Sequence, residues 1–106
     1  MYGDINTLKN QWKEIESLHV SEDTKATGKP CFLYSASLVA TTGGAATAVL
    51  RDGHDTNAEA KLYLAALTSS YDQRKFDPPL YFKKGLFIDV GSYVTSVHVE
   101  FLVDKD

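Results

Sequence analysis

The residues of this chain with chemistry beyond packing are three histidines, one cysteine and a short acidic turn. The histidines are His19, His54 and His98. No two of them fall at the short spacing that sets a metal pair on one element. His98 alternates onto the outward side of the last apolar run and reads as a surface residue. Cys31 is the single cysteine, which excludes an intrachain disulfide and a multi-cysteine zinc site. Nucleophilic catalysis needs a thiol beside a base and an orienting group. Cys31 instead opens an apolar run, where a thiol behaves as a small hydrophobe. Asp52, His54, Asp55 and Asn57 crowd one turn. Calcium takes about six to eight oxygens, and this run lacks the glycine and closing acid of an EF-hand. It reads as turn chemistry, with Asp and Asn bonding nearby backbone and Gly53 supplying a positive φ. Gly43-Gly44 lacks the Lys-Ser/Thr and helix start of a phosphate cradle. Lys83-Lys84 reads as a solvated turn, and no carboxylate pair is placed for acid–base work. The expectation is a protein without catalytic residues, metal or cofactor.

Aromatic residues offer a different chemistry. Six Tyr, five Phe and one Trp are ample for a sugar-stacking platform, although most occupy positions that a core can claim. Tyr71, Tyr81 and Tyr93 fall where exposure is expected, so a carbohydrate-binding module is the alternative to a purely structural role.

The elements that must position these residues follow from periodicity. Ile5, Leu8, Trp12, Ile15 and Leu18 recur every three or four residues, a helical stripe. Asp4 or Asn6 can cap its start. Residues 1–16 are therefore read as a short amphipathic helix or an arm. The stripe either packs on its own domain or docks on a neighbouring subunit, with Ile5, Leu8 and Trp12 as the contact residues. From about Ser17 the period changes. Residues 17–27 hold one edge strand around Leu18 and Val20 and then a polar turn. After Gly28-Lys29-Pro30, residues 31–42 are β-favourable, with Phe32, Tyr34, Ala36, Leu38 and Ala40 sharing one parity as the core face. Residues 45–51 form a strand with Ala46, Ala48 and Leu50 together, closed by Asp52-Gly53. Residues 58–67 fit helix or strand, and their length and flanking turns favour strand.

Ser69 to Asp77 is polar, and Pro78-Pro79 begins a separate run at Leu80-Tyr81-Phe82. Leu86, Ile88 and Val90 alternate with Phe87 and Asp89. Val97, Val99, Phe101 and Val103 then share one face of the clearest strand, with Ser96, His98 and Glu100 on the other. Asp104-Lys105-Asp106 is a charged stop suited to blunting an edge. Seven or eight short strands about ten residues apart, with Gly, Pro and Asn/Asp turns, predict an all-β, antiparallel sandwich of jelly-roll type over 17–106. There is no βαβ alternation to suggest a parallel nucleotide-binding sheet.

Composition bounds the partners. The 106 residues make one domain, 43% apolar and 24% charged, with a formal charge of -3. A mildly acidic chain is a poor nucleic-acid or anionic-membrane binder. The N-terminus has no basic start followed by an apolar run, so no signal peptide is expected, and synthesis in a cytoplasm would leave Cys31 reduced. A small core without disulfide or metal points to stability gained from a partner.

Several segments together resemble a known group. Val-Ser-Glu-Asp-Thr (20–24) leads into Thr-Gly-Lys-Pro-Cys-Phe-Leu-Tyr (27–34), and Ala-Thr-Ala-Val-Leu-Arg-Asp-Gly (46–53) follows. Pro79 to Gly91 contains Phe-x-Lys-Gly-Leu-x-x-x-Val-Gly at 82–91, and Val-Thr-Ser-Val-His-Val-Glu-Phe (94–101) closes the series. Over residues 17–103 the chain resembles the small all-β virion proteins of tailed bacteriophages. The resemblance implies a capsid decoration or cement protein, or else a head–tail connector or collar part; a trimer bound to the major capsid protein is the expected assembly. It implies location in the virion and carries over no catalytic residue. The stripe at 5–18 lies outside it.

Overall fold

The computed structural model describes residues 15–104, and eight strands account for most of them. They are β1 (Ile15–Val20), β2 (Thr24–Thr27), β3 (Cys31–Ala40), β4 (Ala46–Asp52), β5 (Glu59–Ala66), β6 (Tyr71–Phe82), β7 (Leu86–Val90) and β8 (Val94–Val103). Two four-stranded sheets have the orders β1-β8-β3-β6 and β2-β7-β4-β5. Every pairing is antiparallel, and β1 pairs with β8, β2 with β7, β3 with β6 and β4 with β5. That nesting of first with last, second with seventh and so inward is a jelly roll, as the strand rhythm predicts.

The core lies between the sheets. Val97, Val99 and Phe101 of β8, Leu86 and Ile88 of β7, Ala46, Ala48 and Leu50 of β4, and Leu64 and Ala66 of β5 are buried. Their spacing by two is what a strand with one wet face requires. The ambiguous segment is thus a strand: Leu62, Leu64 and Ala66 turn inward, with Lys61, Tyr63 and Ala65 outward. Five of the buried core residues on β3, β4 and β5 are alanines (Ala36, Ala40, Ala46, Ala48, Ala66), so large side chains from β7 and β8 supply much of the fill.

Four expectations need correcting. The core parity of β3 is right only for Ala36, Leu38 and Ala40. Cys31 and Leu33 are buried in place of Phe32 and Tyr34, because the register shifts between Leu33 and Ser35 against both neighbours. A bulge exchanges the two faces of a strand. Secondly, residues 71–82 form one strand rather than a polar stretch followed by a separate run. β6 is an outer strand, where a missing proline N–H faces no ladder partner. Pairing runs from Tyr71 to Lys75, skips Phe76 to Pro79 at the same bulge, and resumes at Leu80. Thirdly, Ile15 and Leu18, the end of the helical stripe, lie in β1 opposite Leu102 and Val99, and residues 17–27 contain two strands. Lastly, β8, whose edge the charged stop is expected to blunt, is an inner strand between β1 and β3; Asp104 donates its N–H to the Pro30 carbonyl, and Lys105 and Asp106 lie outside the described residues.

Candidate interaction surfaces

One end of the sandwich concentrates exposed apolar side chains. The loops after β3, β5 and β7 meet there through Thr41. Its N–H donates to the Tyr93 carbonyl at 2.8 Å, and its own carbonyl accepts from Ser69 at 2.9 Å. The Ala40 N–H donates to the Ser70 carbonyl. Ser69 and Tyr93 adopt left-handed backbone, φ 59° and 61°, an arrangement non-glycine residues keep only where surrounding bonds enforce it. The Tyr93 ring lies over Gly43-Gly44, and a Cβ on Gly44 would sit 2.9 Å from ring atoms. The diglycine is therefore a seat for an aromatic ring. Around this frame stand Leu67, Tyr71, Tyr93 and Val39, respectively 77%, 69%, 54% and 40% exposed. Val39 and Tyr71 are directly paired across β3 and β6. Exposed leucine and tyrosine on a braced frame make this end a candidate interaction surface.

The opposite end is locked internally. Asp52 is nearly buried, and its carboxylate accepts the Lys84 N–H at 2.7 Å and the Lys83 N–H at 3.2 Å. Lys61 stands at a register shift between β4 and β5. The shift re-aims its ammonium toward Asp52 (4.0 Å) and over the Phe82 ring (5.6 Å to the centroid). His54 Nε2 lies 3.1 Å from the Gly28 carbonyl and 2.9 Å from that of Lys84. Both are acceptors, so Nε2 carries the proton and donates. Asp55 bonds the Asn57 N–H. The acidic turn thus does the turn chemistry expected of it, and Asp52 and His54 bind neighbouring loops. A groove at this end is lined by Glu16, Ala26, Thr27, Lys29, Pro30, Val103 and Asp104.

The outer face of the β1-β8-β3-β6 sheet is polar at its centre. Ser35 Oγ donates to Glu100 at 2.7 Å, and Ser17 Oγ lies 2.6 Å from His98 Nε2. His19 and His98 are direct cross-strand partners whose rings stack, centroids 4.1 Å apart and 6° from parallel. Within-element spacing could not find this pair, because its members come from the first and last described strands. Phe32 and Tyr81 touch farther along the same face.

The aromatic trio expected to make one stacking face is divided. Tyr71 and Tyr93 share the exposed end. Tyr81 pairs with Phe32, near the far end of β3. Cys31 is fully buried, and burial, aided by the Asp52 charge, pushes its thiol up to about 12; a thiol held protonated is a poor nucleophile. Ile5, Leu8 and Trp12 lie outside the described residues. Among the described residues no three His, Cys, Asp or Glu side chains gather as a metal cage. No protein-family profile and no curated protein sequence matches this chain.

Proposed function

We propose that this protein is a non-enzymatic structural component of a tailed-bacteriophage virion, a decoration or cement protein that joins copies of itself to the head shell. The observation that carries the reading is the braced end with Leu67, Tyr71, Tyr93 and Val39 exposed together. The segment-by-segment resemblance supplies the virion setting. The mechanism is burial: each copy covers apolar surface against its neighbours, and many modest contacts on a lattice give avidity without a strong single site. The N-terminal stripe (Ile5, Leu8, Trp12) adds a second contact in this reading. The major capsid protein is the partner, the oligomer is a trimer, and the location is the virion. Purified protein mixed with phage heads that lack it should co-sediment with them, and the double variant Leu67→Ser/Tyr71→Ser should stay in the supernatant. Wild-type protein that remains soluble beside intact heads would remove the reading.

A second reading rests on Tyr71 and Tyr93 at the same exposed end: a sugar-stacking platform of a tail or adhesion device. A glycan array separates the two, since binding lost in Tyr71→Ala and Tyr93→Ala would favour the platform.

A further inference from the structure

We propose that His19 and His98 form a two-histidine site for a divalent transition-metal ion of the zinc type. Imidazole nitrogen suits zinc, nickel and copper. The two residues are opposed in register on β1 and β8, and β8 is held on its other side by β3, so the sheet fixes both backbones before any ion arrives. Metal–nitrogen bonds of about 2.0–2.1 Å in tetrahedral geometry require the two nitrogens about 3 to 3.5 Å apart. The ring centroids lie 4.1 Å apart with the planes 6° from parallel, so the in-plane lone pairs run side by side, and coordination of one ion requires the imidazoles to turn until two ring nitrogens converge on it.

The surroundings leave room for an ion. His19 is exposed and His98 half-buried on the solvent side of the sheet. Their lateral neighbours are small: Ser17 contacts His98, and Ser37 pairs with it from β3. The Ser17 hydroxyl occupies the Nε2 position of His98 at 2.6 Å, and a rotatable hydroxyl gives way easily. Glu100, next outward-facing residue along β8, supplies a negative charge held by Ser35. Lys75 of β6 pairs with Ser35 on the far side of β3, two strands away from β8. The other coordination positions face solvent and are open to water. His54 is a built-in control, because its Nε2 proton is committed to two carbonyls.

The test uses the full chain without an affinity tag, titrated with zinc chloride near pH 7.5. Calorimetry gives stoichiometry and affinity, and nitrogen-15 NMR follows the imidazole rings. One ion per chain is expected, with His19 and His98 ring signals moving together and those of His54 unmoved. Affinity should fall at least about tenfold in His19→Gln and in His98→Gln. Circular dichroism checks each variant's fold, and His19→Gln, at an exposed edge position, decides the matter if His98→Gln unfolds. No zinc binding by the wild type, or binding that neither substitution weakens, would overturn the site.

Discussion

Asp52 shows how one carboxylate in an acidic turn ties two elements together. Its carboxylate ends β4 and receives two backbone N–H groups from the β6–β7 turn. Asp52→Ala strips those part-buried donors of a charged acceptor, and losing hydrogen bonds to a charged group costs about 1.5–3 kcal/mol. Denaturant unfolding should show a loss of at least that order with the slope unchanged; a loss within error would mean that water replaces the carboxylate. Cys31 gives a pH signature. Its folded-state value is raised to about 12 from the ordinary thiol value of 9.0, by burial first and the Asp52 charge second. The stabilising contribution is therefore complete below about 9 and is lost as pH rises toward 12, because the unfolded chain releases the proton first. Native protein should leave a thiol reagent unreacted at pH 8 and react once unfolded. Part of the apparent stability loss between pH 9 and 12 should vanish in Cys31→Ala. Asp72 works in the opposite direction. Burial alone would raise it, but the Arg74 guanidinium and the Ala65 N–H more than offset that and hold it below the usual 3.8. Its contribution is present above that value and lost as pH falls through the lowered one. Asp72 also satisfies an N–H of the outer strand β5, and inward-turned charges of this kind protect sheet edges.

At the scale of elements, strand existence was legible wherever alternation was unbroken. β4, β7 and β8 carry their core sets at the predicted spacing, and β5 does so despite its helix-forming residues. Two of the differences, on β3 and β6, have one physical source. A bulge at Leu33–Ser35 exchanges the faces of β3, and the same irregularity lets β6 run through Asp77-Pro78-Pro79. Nothing in the run of apolar types reveals an inserted residue, because Phe32 and Leu33 are equally good core candidates. The structure makes the difference measurable. Leu33→Ala should cost about 2–5 kcal/mol, as for a buried leucine, and Phe32→Ala well under that. Equal losses, or the reverse order, would place the face exchange elsewhere. The exposed end was half legible. Tyr71 and Tyr93 were singled out as exposed, whereas Leu67, Val39 and the ring seat on Gly43-Gly44 depend on how three distant loops meet. The His19–His98 pair was invisible for the same reason: its spacing exists only across strands.

For the whole molecule, the jelly roll packs two open four-stranded sheets around a core rich in alanine. In the proposed assembly, contacts between molecules add burial to such a core. The described end with Leu67, Tyr71, Tyr93 and Val39 offers one contact, and the stripe of Ile5, Leu8 and Trp12 offers the other in the proposed assembly. Deleting residues 1–13 should leave the strand signature of the dichroism spectrum intact and weaken association; a deletion that unfolds the chain would assign the stripe to the domain's own core. The central claim, that this chain is one tile of an assembly, is tested most directly by the solution mass from light scattering across a range of concentrations. The account predicts a mass three times that of the chain, reduced toward the single-chain value in Leu67→Ser/Tyr71→Ser. A wild-type mass equal to one chain at every concentration would contradict it.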